Sequence, residues 1–168
     1  YNNIIVKLND LPFFDEFDAG AGPLVRNEVG YPVSSFYGYK IIGLFEDAAD
    51  VSKSPVQDAA APGRFKYADV NGRNSTTGKL TGKPDGFITE DDRIHFGNPN
   101  PKFTLGLNIG INYKGFDFST FFYGSFGNDV LNHIKSFTDI LSQRLTPKSK
   151  TALYDSWTPD HKNANAPL

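Results

Sequence analysis

The chain has 168 residues, enough for one domain with a sizeable core, and its 17 basic and 19 acidic side chains leave a net charge of −2, which argues against a nucleic-acid binder. Cysteine is absent, so disulfides, thiol catalysis and cysteine metal sites are excluded. Methionine is absent too, and a translated chain begins with one, so the sequence reads as a processed product or an excised segment.

Fifteen Phe, 8 Tyr, 16 Gly and 11 Pro describe a β-rich chain with many turns. Residues 3–8, Asn-Ile-Ile-Val-Lys-Leu, predict a short strand. A polar, acidic stretch follows and ends in Gly20-Ala-Gly-Pro23, which reads as loop. Residues 33–46 are aromatic and β-branched, with Gly38 and Gly43 interrupting, and predict one strand or two with a bend. From Asp47 to Pro101 periodicity is lost and Gly, Pro, Asp, Asn, Ser and Thr dominate. A loop of 47–101 is out of place in a compact soluble domain but ordinary on the outer side of a membrane barrel.

The clearest pattern lies between Phe103 and Phe126. Phe103, Leu105, Leu107, Ile109, Ile111 and Tyr113 alternate with polar or small residues. Lys114-Gly115 makes a two-residue turn, and Phe116, Phe118, Thr120, Phe122, Gly124 and Phe126 continue on one face. That turn sets Tyr113 opposite Phe116, Ile111 opposite Phe118 and Phe103 opposite Phe126. Strands over 103–113 and 116–126, with a minimal turn, one apolar face and aromatic ends, suit a membrane barrel. A hairpin in a soluble sandwich, its apolar face against a second sheet, has the same pattern. No apolar run reaches the ~20 residues of a membrane helix, and no signal peptide opens the chain; neither test detects barrel strands. Beyond the hairpin, Val130, Ile134, Phe137 and Leu141 recur at helical spacing and predict an amphipathic loop helix over 129–143.

One constellation carries candidate chemistry. Asp69-Val-Asn71-Gly72 begins like an acidic calcium loop, departs at Arg73 and resumes at Asp85-Gly-Phe-Ile-Thr-Glu-Asp-Asp92. With residues 73–84 removed, Asp69, Asn71, Asp85 and Asp92 fall at loop positions 1, 3, 5 and 12, with Gly86 at the sharp turn, which is a ligand set for one Ca²⁺. A polar turn with a tolerated insertion has the same composition. His95, His133 and His161 lack ligand spacing. No nucleophile elbow, Walker loop or dinucleotide fingerprint occurs, and the chain is not expected to be an enzyme.

Taken in order, several motifs resemble the SusC/RagA family of TonB-dependent outer-membrane transporters. They are Gly30-Tyr-Pro-Val-Ser-Ser-Phe-Tyr-Gly-Tyr-Lys40, Gly43-Leu-Phe45, Pro62-Gly-Arg-Phe-Lys-Tyr-Ala-Asp-Val-Asn-Gly72 and Asp85-Gly-Phe-Ile-Thr-Glu-Asp-Asp-Arg93. Tyr113-Lys-Gly-Phe-Asp-Phe118, Gly124-Ser-Phe-Gly-Asn128 and Trp157-Thr-Pro159 continue the series. Two departures are Arg64, where the family has Asp, and the insertion 73–84.

The resemblance implies a mainly β fold: antiparallel hairpins from a 22-stranded transmembrane β-barrel, with long extracellular loops and a short loop helix. It implies a bacterial outer-membrane location and import of oligosaccharides or peptides. The implied partners are TonB, a SusD-like surface lipoprotein and outer-membrane lipid. Within that frame Phe36, Tyr37, Tyr39 and Tyr67 are candidate substrate-stacking residues. A soluble secreted β-domain that binds carbohydrate is the alternative. Open strand edges lead to a further expectation, that the isolated chain self-associates or folds its loops over the hairpin.

Overall fold

The computed structural model describes residues 3–18, 23–140 and 147–167. The chain divides into two compact units, residues 1–37 with 95–130 and residues 38–94 with 131–168.

In the first unit, β1 (Phe13–Asp18) and β2 (Pro23–Glu28) pair antiparallel, with Asp15 directly opposite Arg26. Arg26 grips Asp15 with two parallel bonds, Nε to Oδ1 at 2.6 Å and Nη2 to Oδ2 at 2.9 Å. The Arg26 guanidinium lies 3.9 Å from the Phe13 ring and 3.8 Å from the Tyr37 ring. A bidentate, doubly stacked guanidinium ties β1 to its neighbours where apolar burial is sparse. β3 (Ser35–Tyr39) follows β2, and the sheet order is β1-β2-β3-β6, where β6 is Arg93–Gly97. β3 and β6 are where the chain passes between units. Phe36, Tyr37, Asn27 and Ser35 are buried here.

In the second unit, β4 (Ile41–Leu44) pairs antiparallel with β5 (Phe65–Tyr67), with a bulge between Ile41 and Gly43. α1 (Ala48–Lys53) starts at Asp47, whose side chain accepts the Asp50 N–H at 2.9 Å. A 3₁₀ turn (Glu90–Asp92) precedes β6. α2 (His133–Lys135) leads into a π-helical turn (Ser136–Ile140), and α3 (Lys150–Tyr154) is capped by Ser149. Phe45, Trp157, Ala166 and Asp92 are buried.

Besides Asp139, three carboxylates of this unit are held below the usual carboxylate range. The Lys66 ammonium lowers Asp50, the Asp50 N–H and then Lys162 lower Asp47, and His161 and then Asn165 lower Asp155. A depressed folded-state pKa contributes stability above the unfolded value, roughly pH 4, that is lost as pH falls through the lower folded values. Acid titration followed by hydrogen exchange is therefore expected to loosen α1 and residues 155–165 below roughly pH 4. Lys66→Gln is expected to weaken the response at Asp50.

The long hairpin belongs to the first unit. β7 (Phe103–Tyr113) and β8 (Phe116–Phe126) each run 11 residues. Their register places Tyr113 opposite Phe116, Ile111 opposite Phe118, Leu107 opposite Phe122 and Phe103 opposite Phe126. Lys114 (φ 46°) and Gly115 (φ 86°) both take the left-handed conformation. Two such residues in succession suit a tight turn whose twist matches that of the strands.

Other segments depart from the sequence reading. Residues 3–8 form no strand. Ile4 makes an isolated antiparallel bridge to Pro32, flanked by the bonds from Val33 N–H to the Asn3 carbonyl and from Ile5 N–H to the Tyr31 carbonyl, both at 2.9 Å, and the pairing does not extend into a ladder. The acidic stretch read as loop contains β1, and β2 starts at its last residue, because the clamp from Arg26 offsets the poor strand propensity of the carboxylates of β1. Residues 33–46 divide into β3 and β4 around Lys40, and β3 starts only after Ser34, which has φ 56°. The loop 47–101 holds α1, β5, the 3₁₀ turn and β6, elements too short to show a period. The helix over 129–143 is reduced to residues 133–140, and residues 141–143 lie outside those described.

Candidate functional site

The alternation along β7 and β8 sends Phe103, Leu105, Leu107, Ile109, Ile111 and Tyr113 to one face with Phe116, Phe118, Phe122 and Phe126. Every one of these side chains is exposed, from 37% at Ile109 to 80% at Phe116. A continuous apolar surface of this kind marks a region that meets lipid or protein. Phe103 and Phe126 stack at 4.9 Å and close one end, while Tyr113 and Phe116 occupy the other. Strands of 11 residues extend roughly 35 Å, which at a tilt of about 45° gives a height near 25 Å, the apolar band of an outer-membrane barrel. The opposite face carries Thr104, Asn108, Asn112, Asp117, Ser119 and Ser125, together with Phe121 and Tyr123. Among the described residues no helix is long and apolar enough to cross a membrane.

The split acidic segment folds back together in the second unit. The insertion closes on itself: Thr81 donates its N–H to the Gly72 carbonyl at 2.9 Å, and Gly82 donates to Asn71 Oδ1 at 2.7 Å. Asp85 thereby reaches Asp69, whose carboxylate accepts the N–H groups of Asp85 (3.2 Å) and Gly86 (2.7 Å). A Cβ on Gly72 would lie 2.5 Å from the Asp85 side chain, so only glycine admits this approach. Arg73 anchors the insertion on Asp91 through Nε (2.5 Å) and Nη2 (2.6 Å). Asp92 is fully buried. Its Oδ1 accepts from the Val70 and Asn71 N–H groups at 2.9 and 3.0 Å, and its Oδ2 accepts from Thr89 N–H at 2.8 Å.

The four residues read as calcium ligands thus share one neighbourhood, but their oxygens are turned onto backbone amides. Asp85 Oδ1 likewise accepts the Phe87 N–H at 3.0 Å. Among the described residues no three His, Cys, Asp or Glu side chains converge to hold a metal ion. In the structure backbone N–H groups satisfy these oxygens. Thermal unfolding is therefore expected to be unchanged by added Ca²⁺ or by EDTA. A rise in Tm with Ca²⁺ that EDTA reverses would restore the ligand reading.

The aromatic candidates are distributed differently. Phe36 and Tyr37 are buried, with Tyr37 under the Arg26 guanidinium. Tyr39 and Tyr67 stack on each other at 5.1 Å, with Arg93 over the Tyr39 ring at 5.2 Å. Burial, assisted by the nearby Tyr39 phenol, pushes the Tyr67 hydroxyl up from its ordinary pKa.

Sequence reasoning also missed a buried polar brace. His95 Nδ1 lies 2.6 Å from Ser35 Oγ and His95 Nε2 lies 3.1 Å from Glu28 Oε2, while the ring stacks on Tyr31 at 3.8 Å. These are the residue types of a hydrolytic triad. However, Ser35 is 1% exposed and its hydroxyl donates to the Arg26 carbonyl, so it is out of a substrate's reach and its proton is directed away from His95. No local motif reveals the brace, because Glu28, Ser35 and His95 meet only through the sheet.

With this geometry in place, two curated relatives can be compared along the chain. The TonB-dependent receptor P26 of Formosa agariphila is 30% identical over 168 residues, taking in 98% of this chain and 16% of the relative. The TonB-dependent receptor P3 of the same organism is 27% identical over 170 residues, taking in 96% of this chain and 15% of the relative. The chain is similar to a segment of TonB-dependent receptors. It spans about a sixth of the length of each relative it matches. No family model matches it. The receptor similarity runs over nearly the whole chain, so it includes both the apolar hairpin and the clasped acidic segment.

Proposed function

We propose that the chain is a segment of a SusC/RagA-type TonB-dependent importer of the bacterial outer membrane, with β7 and β8 as adjacent strands of its 22-stranded barrel. The observation that carries this reading is the uncovered apolar face of the hairpin, of membrane height and with aromatic ends, in a chain similar to TonB-dependent receptors along almost its full length. In that setting the apolar face meets lipid, and the open edges of β7 and β8 pair with strands elsewhere in the barrel. The segment from α1 to β6 forms an outer loop, stiffened by Asp92. TonB supplies the driving contact, and a SusD-like lipoprotein meets the outer loops as oligosaccharide or peptide enters. The chain's role is transport rather than catalysis. A secreted carbohydrate-binding domain would require a second layer over the hairpin, and no described side chain covers it.

Light scattering of the purified chain with and without detergent micelles tests the reading. The expected result is association through the hairpin in buffer and dispersal in micelles. A detergent-independent monomer would move the secreted-domain reading ahead.

A further inference from the structure

The second unit contains a cleft of about 440 Å³, within the size range of small-ligand sites. Ile42 and Leu44 of β4 supply an apolar wall, and Glu46, Asp50, Lys66 and Lys162 supply charge. The bulge between Ile41 and Gly43 interrupts the β4–β5 ladder beside this wall and leaves backbone polar groups of Ile42 outside the register.

The charges differ in what they leave available. Lys66 is bonded to Asp50 at 2.7 Å with both side chains mostly shielded, and serves to hold β5 against α1. Lys162 is bonded to Asp47 at 3.1 Å, but both side chains are 40–50% open, at 42% and 49%, so this pair exchanges readily with a competing ion. The Glu46 carboxylate is exposed and has no hydrogen bond or ion pair among the described residues. The lining thus offers one uncommitted carboxylate, one loosely committed ammonium and two apolar side chains.

We infer that this cleft binds a small zwitterion. The ligand's ammonium sits on Glu46, its carboxylate on Lys162, and an apolar substituent lies against Ile42 and Leu44. The free termini of a short peptide have this chemistry. A polyanion gains little, because the lining carboxylates offset both lysines. A neutral saccharide finds no aromatic ring in the lining on which to stack. The inference stands apart from the importer reading, since it rests on the second unit alone.

Calorimetric titration of the folded chain with glycyl-leucine tests it, using N-acetyl-glycyl-leucinamide as the blocked control. The expected result is saturable binding of the free dipeptide at one site and none of the blocked one. Glu46→Gln and Lys162→Gln should each weaken binding at least about tenfold, while Lys79→Gln, outside the cleft, should leave it unchanged. Glu46 and Lys162 are exposed, so both variants should keep the parent circular dichroism spectrum. Equal binding of the blocked dipeptide, an unaltered Glu46→Gln, or no binding at millimolar dipeptide would overturn the proposal.

Discussion

Leu107→Arg is expected to destabilise the protein in lipid by about 2–4 kcal/mol, the cost of a cationic side chain near the bilayer midplane on the outer face of a barrel. Leu107 sits midway along β7, opposite Phe122, with apolar neighbours two residues away on either side. The arginine has no partner there and is too far from either interface to reach water without distorting the strand. Asn108→Arg, on the opposite face and one residue along β7, is expected to cost far less, because that side already carries polar groups. Refolding into vesicles over a denaturant series measures both. Equal losses for the two substitutions would mean that the faces meet similar surroundings, and the lipid assignment of the apolar side would fail.

Asp92→Ala is expected to cost about 3–5 kcal/mol in the second unit. The deletion strands three backbone N–H groups, those of Val70, Asn71 and Thr89, at a fully buried position, and each unsatisfied donor costs about 1–3 kcal/mol with partial relief from water entry. Asp92→Asn is expected to lose less. Its carbonyl oxygen can still accept from Val70 and Asn71, while its NH₂ faces the Thr89 N–H. Amide exchange gives the sharpest readout: in Asp92→Ala the Val70, Asn71 and Thr89 protons should exchange early, whereas in Asp92→Asn only Thr89 should lose most of its protection. Unchanged protection in both variants would remove Asp92 from its role as the clasp of the acidic segment.

What the sequence disclosed follows from the range of the interactions involved. The hairpin was legible because alternation and the Lys114-Gly115 turn are local, and a two-residue turn allows one register. The acidic loop was legible in composition and in the meeting of its two halves. Splicing Asp69-Val-Asn71-Gly72 to Asp85 anticipates that the two halves meet, yet nothing local tells whether a carboxylate oxygen faces a cation or a backbone N–H. That choice depends on the path of residues 73–84 and on Gly72 allowing Asp85 close. β1 was illegible because its stability comes from Arg26, eleven positions from Asp15, through a clamp that no propensity records. The candidate aromatics failed to separate in sequence for a similar reason: Phe36 and Tyr37 differ from Tyr39 only in which elements fold over them. The cleft at Glu46 and Lys162 joins chain segments far apart in sequence and leaves no motif at all.

The central claim is that the apolar face of β7 and β8 lies in lipid, and single-cysteine labelling tests it most directly, since the chain has no cysteine of its own. Nitroxide labels at Leu105, Asn108, Ile109 and Asn112 in vesicle-reconstituted protein report collision with membrane-dissolved oxygen against collision with a water-soluble relaxant. The account predicts oxygen contact at Leu105 and Ile109 and relaxant contact, or protection from both, at Asn108 and Asn112. Relaxant contact at all four positions, or oxygen contact on the Asn108 side, would contradict it.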